Sequence, residues 1–262
     1  MKIGIIGAGN MGGAIARGLL DSKTILPTDI VVTDPSQSTL DHIKAQYPDI
    51  ATSTTNRIST VGTDVIIIAV KPWLVASVIN EIAPFIAFRE QSIVSIAAGI
   101  TISDLSDMLK SYSSHRTLFR VIPNTAIAIG QSMTFISHDN ASDKQLEHVI
   151  KTFGALGHVA EIEERLMPAA TALCSCGIAY AMRYVRAATE GGVELGIYPD
   201  KAKEYVLQTL RGAIELLEST GNHPEAEIDK VTTPGGITIK GLNAMEANGF
   251  TCAVINGLKA SV

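Results

Sequence analysis

The segment formed by residues 229–242 contains a combination of residues that could bind a small anion. Two adjacent glycines, Gly235 and Gly236, follow a proline and two threonines, and the apolar periodicity of Ile239, Leu242 and Met245 predicts a helix. The first N–H groups of a helix have no partner within it, so they are free to bind a carboxylate or a phosphate. An ordinary glycine-rich turn, with Thr238 as a helix cap, would have the same sequence.

A second glycine-rich motif lies near the N-terminus. It has the pattern G-x-G-x-x-G, follows a short Ile-rich strand and opens a helix. In this position the glycines allow a tight turn, a close approach of the backbone to a pyrophosphate, and close packing of helix on strand. The motif therefore predicts a dinucleotide site whose phosphate loop is Gly7, Ala8, Gly9, Asn10, Met11 and Gly12.

Asp34 ends the next predicted strand, residues 30–33, roughly twenty residues beyond Gly12, as in dinucleotide-binding folds. A carboxylate at this point accepts hydrogen bonds from the ribose hydroxyls of NAD(H) and repels the additional phosphate of NADP(H). No Arg stands immediately beside Asp34, although Ser36, Ser38 and Arg57 could reach the same region. Asp34 by itself favours NAD(H), with a cap for the following helix as the alternative role.

The elements that carry these motifs alternate between strands and helices. Runs rich in Ile and Val predict buried parallel strands at residues 2–6, 30–33, 64–70, 91–96 and 117–121. This alternation predicts an α/β fold with an N-terminal Rossmann-type, doubly wound parallel sheet. Ligands of such sheets lie beyond the carboxyl ends of the strands, which indicates the loops at residues 7–12, 69–72, 96–99 and 123–125.

The second part of the chain lacks the β-branched runs that predict strands in the first part. Runs of β-branched residues end near residue 162, so we predict a dinucleotide-binding domain at 1–162 and an all-α domain at 163–262. Residues 168–192 read as one long helix rich in small side chains, followed by a helix at 199–218. Small residues allow another helix to approach closely, which favours a homodimer formed by the second domain.

Composition narrows the class of protein. A net charge of −5 argues against nucleic acid and anionic membrane as partners, and no apolar run is long enough to span a bilayer. The three cysteines cannot all pair within one chain, which favours the cytoplasm. No His or Cys residues stand at metal-ligand spacing, so no metal is expected.

Together these segments resemble pyrroline-5-carboxylate reductases over essentially the whole chain. The shared pieces are Ile5-Ile-Gly-Ala-Gly-Asn-Met-Gly12, Ala69-Val-Lys-Pro72, Ser95-Ile-Ala-Ala-Gly99, Pro123-Asn-Thr125, Thr171-Ala-Leu173, and residues 229–242 with Glu246. The last piece is the most specific, because few dinucleotide enzymes carry it in a helical second domain. The resemblance implies NAD(P)H-dependent reduction of L-1-pyrroline-5-carboxylate, a cyclic imine, to L-proline, the last step of proline biosynthesis.

The resemblance also implies roles for individual residues. The substrate is expected to bind at Val231, Thr233, Gly235, Gly236, Ile237 and Thr238, and Thr238 is the candidate catalytic residue because it could hydrogen-bond the imine nitrogen. Asn56 is expected on the adenosine side of the cofactor. The nicotinamide is expected to lie along Ala69, Val70, Lys71, Pro72, Ile96, Ala97 and Ala98. In the family the substrate corner comes from the other subunit of a dimer, and five dimers often form a decamer.

Two positions depart from the family pattern. Cys174-Ser-Cys-Gly-Ile-Ala179 replaces the usual Ser-Gly-Ser-Gly-Pro-Ala, and Ala126 stands where proline commonly follows Pro-Asn-Thr. The family commonly favours NADPH, contrary to the argument from Asp34, so NADP(H) and NAD(H) both stay open.

Two other functions share part of this pattern. A 3-hydroxyacid dehydrogenase would share the glycine loop, but it would carry a catalytic lysine within residues 171–186, where this chain has none. A dinucleotide sensor without turnover would have no use for the threonine-rich corner.

Overall fold

The computed structural model describes all 262 residues, which separate into two compact units, Met1–Ser175 and Cys176–Val262. This division falls inside a helical segment, whereas the predicted boundary at residue 162 marks the end of the β-branched runs. The domain limits 1–162 and 163–262 therefore stay a prediction. None of the helices combines the length and the apolar character needed to cross a bilayer.

The first unit is built on one eight-stranded sheet with the order β3-β2-β1-β4-β5-β6-β7-β8. Its strands are β1 (Ile3–Ile6), β2 (Ile30–Thr33), β3 (Ala51–Ser53), β4 (Val65–Ile68), β5 (Ser92–Ser95), β6 (Thr117–Ile122), β7 (Ser132–Asp139) and β8 (Gly157–Glu161). Strands β1 to β6 are parallel, and β7 and β8 run together in the opposite direction. The predicted fold class is confirmed, with two reversed strands at one edge as an addition.

Helices cover both faces of this sheet. They are α1 (Asn10–Asp21), α2 (Gln37–Gln46), α3 (Val75–Ile82), α4 (Ile102–Leu109) and α5 (Asp143–Gly154). Alternate residues of the central strands enter separate cores: Ile67 packs in the core with α1, α2 and α5, and Ile66 in the core with α3 and α4. Because both faces are buried, these strands are apolar throughout.

Strand register aligns the ends that carry the predicted loops. Ile6 of β1 is paired with Thr33 of β2 on one side and with Ile68 of β4 on the other. The amide of Gly7 donates to the carbonyl of Thr33 at 2.7 Å, and the amide of Ala69 donates to Ile6 at 2.8 Å. The glycine loop, Asp34 and the loop after β4 consequently leave the sheet at the same edge.

The helical segment that begins at Met167 is interrupted. It consists of α6 (Met167–Ala170), a π-helical stretch (Thr171–Cys176) and α7 (Gly177–Glu194), whereas the sequence predicted one uninterrupted helix. The remaining helices are α8 (Pro199–Thr220), α9 (Pro224–Val231), α10 (Ile237–Ala247) and α11 (Phe250–Lys259).

The second unit buries little of its own apolar surface. Only Ala202 and Glu227 of its residues are buried, and α7, α10 and α11 contain no buried residue. Apolar side chains such as Leu207, Ile214 and Ile255 are exposed on it. Exposed apolar side chains on helices without a core of their own are typical of an interface with another chain.

Candidate functional site

The glycine loop is shaped by close backbone contacts. Gly7 has a φ of +97°, which L-residues rarely adopt, so the turn after β1 favours glycine. A Cβ at Gly12 would lie 1.9 Å from the carbonyl oxygen of Gly7, so α1 can start this close to β1 only with glycine there. At Gly9 a Cβ would meet nothing within 4 Å of protein. Gly7 and Gly12 thus shape the loop, and Gly9 leaves open space in front of it.

Asp34 is held against this loop by two backbone groups. The amide of Ala8 donates to Oδ2 of Asp34 at 2.8 Å, and the amide of Ser36 donates to Oδ1 at 2.9 Å. The cap of α2 is Ser36, whose hydroxyl accepts from the amide of Thr39. The alternative role of Asp34 as the cap of this helix is therefore wrong.

An open cleft of about 930 Å³ lies at this edge of the sheet. Most of the predicted cofactor residues line it: Gly7, Gly9, Asn10, Met11, Asp34, Ala69, Val70, Lys71, Pro72, Ile96, Ala97 and Ala98. The volume lies within the range of small-molecule sites, roughly 300–1,000 Å³. The structure thus brings the loops after β1, β2, β4 and β5 to one cavity, as the rule for doubly wound sheets predicts.

Three predicted cofactor residues do not line the cleft. Ala8 and Gly12 are buried behind the loop, where they contribute the amide bonded to Asp34 and the close packing of α1. The amide oxygen of Asn56 accepts from the Thr33 hydroxyl at 3.0 Å, and its nitrogen donates to Glu81 at 2.8 Å. The role of Asn56 beside the adenosine stays a prediction.

The cleft also contains residues that were not predicted as site residues. They are Ala14, Arg17, Pro35, Leu74, Ile127 and Ala128, whereas Thr125, which also lines the cleft, belongs to the predicted loop at residues 123–125. Arg17 could have been found, because residues 10, 14 and 17 share one face of α1 at helical spacing. Ile127 and Ala128 belong to a short 3₁₀ turn, Thr125–Ile129, that had no sequence signal.

The cleft fits a dinucleotide by shape and by charge. The N-terminus of α1 points its free amides at the loop, and the cations Arg17 and Lys71 lie in the lining. Apolar walls from the loops after β4 and β5 suit a flat ring. No cluster of His, Cys, Asp and Glu in the chain could hold a metal ion.

The threonine-rich corner lies in the second unit, between α9 and α10. Gly235 has a φ of +73°, and Gly236 forms the cap of α10 without any side-chain hydrogen bond to the helix start. Thr238 is exposed and does not cap the helix, so the alternative role of Thr238 as a helix cap is wrong. The amides of Ile237 and Thr238, in the first turn, have no partner within the helix.

Glu227 stabilises the helix that leads into this corner. The Lys230 ammonium and the Asn222 side-chain amide each donate to Glu227 at 2.7 Å. These bonds, the one from Lys230 first, hold the pKa of the Glu227 carboxyl below its usual range. With its partners in place, the buried carboxylate fixes the last turn before the corner.

The departures from the family pattern lie in three elements. Cys174, Ser175 and Cys176 belong to the π-helical stretch, Ile178 to the first turn of α7, and Ala126 to the 3₁₀ turn Thr125–Ile129. The hydroxyl of Ser175 donates to the carbonyl of Pro123 at 2.9 Å, which ties this stretch to the loop that ends at Thr125. Cys174 packs against the small core around Phe135, and burial raises the pKa of its thiol. All three cysteines are free.

Comparisons with known proteins agree along the whole chain. Residues 164–262 match the family described as pyrroline-5-carboxylate reductase dimerisation, and residues 2–99 match the one described as NADP oxidoreductase coenzyme F420-dependent. Pyrroline-5-carboxylate reductase from Synechocystis is 33% identical, with 100% of this chain and 96% of that protein covered. Pyrroline-5-carboxylate reductase 1 of Dictyostelium discoideum is 37% identical over 99% of this chain, which spans 48% of that longer protein.

Solved structures of proteins with this name are also similar to the chain over nearly its whole length. The pyrroline carboxylate reductase of Plasmodium falciparum, determined with NADP bound, superposes with a TM-score of 0.89 at 29% identity. The alignment covers 100% of this chain and 95% of that one. A pyrroline-5-carboxylate reductase from Coxiella burnetii superposes with a TM-score of 0.90 at 26% identity, over 99% and 95% of the two chains.

Proposed function

The chain belongs to the pyrroline-5-carboxylate reductase family. On that premise we propose that the cleft of the first unit binds the cofactor and that the threonine-rich corner of the second unit binds the substrate. The reaction is the NAD(P)H-dependent reduction of L-1-pyrroline-5-carboxylate to L-proline, the last step of proline biosynthesis. The observation that carries this conclusion is the match to reductases of this name over nearly the full length of both proteins.

The cleft of the first unit holds the cofactor, NADP(H) or NAD(H). The pyrophosphate lies against the amides at the start of α1 and in the open space at Gly9, where a side chain would obstruct it. The nicotinamide ring lies along the loops after β4 and β5. When bound, the dinucleotide supplies the hydride that the imine carbon accepts.

The corner of the second unit holds the substrate carboxylate. The unpartnered amides of Ile237 and Thr238 are its donors, with Val231, Thr233, Gly235 and Gly236 completing the wall. Two observations support this assignment. The amides lack a side-chain cap that would compete with a ligand, and the positive φ of Gly235 sets the turn that exposes them.

Thr238 is the residue proposed to contact the reacting part of the substrate. Its exposed hydroxyl can hydrogen-bond the imine nitrogen, and a protonated nitrogen makes the neighbouring carbon a better acceptor. We assign no dedicated general acid, because positioning two reactants can by itself supply about 7–11 kcal/mol.

The second unit is proposed to form a homodimer. Its exposed apolar helices and its match to a family described by dimerisation support this assembly. The resemblance further supports a decamer of five dimers. The proposed domain limits, 1–162 and 163–262, rest on the end of the β-branched runs, and the match of residues 164–262 to the dimerisation family supports them. Three free cysteines fit a reducing compartment, so we place the enzyme in the cytoplasm.

One assay separates this function from its rivals. Oxidation of NADH and NADPH is followed with L-1-pyrroline-5-carboxylate, and reduction of NAD⁺ and NADP⁺ is followed with 3-hydroxyacids. The proposal predicts turnover with the imine alone. Turnover with a hydroxyacid alone would indicate a dehydrogenase, and binding of the dinucleotide with no turnover would indicate a sensor.

A further inference from the structure

We propose that Asp34 selects the cofactor and that this chain uses NADH in preference to NADPH. The inference rests on the proposed function only in placing a dinucleotide in the cleft of the first unit. It concerns the adenosine ribose, which the two cofactors carry with and without a phosphate.

The geometry of Asp34 suits ribose hydroxyls. An ionised carboxylate has about four acceptor positions. Two of them are used by the amides of Ala8 and Ser36, and Asp34 lines the cleft, so acceptor positions stay available to a ligand. The hydrogen-bonding pattern is therefore that of an acceptor for two hydroxyl donors.

The same contacts keep the carboxylate from moving aside. An exposed aspartate could rotate away from an incoming phosphate, but here both oxygens are held by backbone groups at 2.8 and 2.9 Å. Pro35 follows directly and restricts the backbone at Asp34. A phosphate in place of the ribose hydroxyl would thus meet a fixed negative charge.

No nearby cation neutralises that charge. No Lys or Arg nitrogen lies within 4.0 Å of the Asp34 carboxylate. The hydroxyls that follow it are also engaged: Ser36 and Ser38 contact each other at 3.0 Å, and Ser36 accepts from the Thr39 hydroxyl at 2.9 Å. An additional phosphate would therefore meet a carboxylate that no cation contacts, and the Ser36–Ser38 pair leaves one hydroxyl proton for it.

Arg17 and Arg57 are the cations that could offset this effect. The Arg57 guanidinium lies over the Phe85 ring, 4.8 Å from its centroid, and the position of Arg17 assigns it to another part of the cofactor. A Cβ built on Gly13 would lie 3.2 Å from Nη1 of Arg17, so the guanidinium lies along the first turns of α1. The start of this helix receives the pyrophosphate, which both cofactors share. We therefore assign Arg17 to the pyrophosphate. The preference for NADH would distinguish this chain from the Plasmodium falciparum relative, whose structure contains NADP.

Binding can be measured without turnover. Trp73 is the single tryptophan of the chain, it is 75% exposed, and it lies between the lining residues Pro72 and Leu74. Energy transfer from Trp73 to the reduced nicotinamide therefore reports the Kd of NADH and of NADPH separately. Initial rates with pyrroline-5-carboxylate give kcat/KM for the same pair.

The wild-type enzyme is expected to favour NADH by about tenfold or more in both Kd and kcat/KM. Asp34→Asn removes the charge and keeps an acceptor oxygen, so it should shift the ratio towards NADPH by about tenfold. Asp34→Ser serves as a second variant, with the melting temperature as the control for folding. Equal or tighter binding of NADPH by the wild type, or an unchanged ratio in both variants, would overturn the proposal.

The variant Arg17→Ala tests the assignment of Arg17 to the pyrophosphate. Equal weakening of NADH and NADPH supports the assignment of Arg17 to the pyrophosphate. Weakening of NADPH alone would show that Arg17 recognises the additional phosphate and would contradict the inference. If neither cofactor turns over with the imine, the proposed function fails, while the binding ratio still tests Asp34.

Discussion

The amide of Gly236 donates a 2.9 Å hydrogen bond to the carbonyl oxygen of Thr233 and closes the turn in front of α10. The turn has no room for a side chain: a Cβ at position 236 would lie 2.6 Å from Oγ1 of Thr233 and 2.9 Å from its carbonyl oxygen. The amides proposed to bind the substrate carboxylate are consequently fixed relative to Thr233 by this one contact.

Gly236→Ala should therefore damage substrate use without affecting the cofactor. The added methyl group displaces Thr233 and the first turn of α10, and a shift of about 1 Å can cost on the order of 100-fold in rate. We expect kcat/KM for pyrroline-5-carboxylate to fall by that order, with the Kd of the reduced dinucleotide unchanged. Gly241→Ala in the same helix meets nothing within 4 Å and should retain activity. Equal effects of the two substitutions would contradict the role of the turn.

Thr238→Ala tests the proposed contact to the reacting group. Loss of a hydrogen bond to a charged partner costs about 1.5–3 kcal/mol, which corresponds to roughly a 10–150-fold lower kcat. Dinucleotide binding, measured by energy transfer from Trp73, should persist. Thr209→Ala is the control, because the Thr209 hydroxyl bonds only the Tyr205 carbonyl within α8. An unchanged kcat in Thr238→Ala would remove this residue from the mechanism.

Gly9 and Gly12 should respond differently to alanine. At Gly12 the Cβ would lie 1.9 Å from the Gly7 carbonyl, so Gly12→Ala is expected to destabilise the fold by about 1–3 kcal/mol. Gly9→Ala should retain the wild-type melting temperature, because its Cβ meets no protein atom within 4 Å. The same methyl group would occupy the space assigned to the pyrophosphate, so dinucleotide affinity should fall. Retained affinity in Gly9→Ala would contradict the position of the pyrophosphate.

The raised pKa of the Tyr47 phenol can be tested by titration at high pH. Burial, and then a 2.6 Å hydrogen bond to Asp21, raise the pKa of Tyr47 from 10.0 to about 12. Because the folded protein favours the neutral phenol, its stabilising contribution is complete below about pH 10 and is lost as the pH rises towards about 12. Spectrophotometric titration of the six tyrosines should show a late transition that Tyr47→Phe removes and Tyr198→Phe retains. A late transition that persists in Tyr47→Phe would contradict this origin.

Much of the fold could be predicted because the central strands are buried on both faces. Ile66, Ile67 and Ile68 pack into two different cores, so the whole run is apolar and stands out in the sequence. Strands β3 and β7 carry weaker signals. β3 has only three residues, and β7 includes Ser132, Thr134 and His138, so neither resembles an apolar run.

The cleft could be predicted for a similar reason. Its loops follow directly from strand ends, and pairing of Ile6 with Thr33 and Ile68 brings those ends together. Contacts between residues far apart in the chain left no such signal. The bond from the Ser175 hydroxyl to the Pro123 carbonyl depends on the π-helical stretch, and a π-helix has no sequence pattern that separates it from an α-helix.

The most direct test of the central claim is the fate of a deuterium label. The enzyme is incubated with pyrroline-5-carboxylate and with NADH or NADPH deuterated at one or the other C4 position, and the proline formed is examined by mass spectrometry and NMR. The proposed function predicts one equivalent of proline per dinucleotide oxidised, with a single deuterium at the former imine carbon for one of the two labelled isomers. Unlabelled proline from both labelled isomers, or no proline with either cofactor, would contradict it.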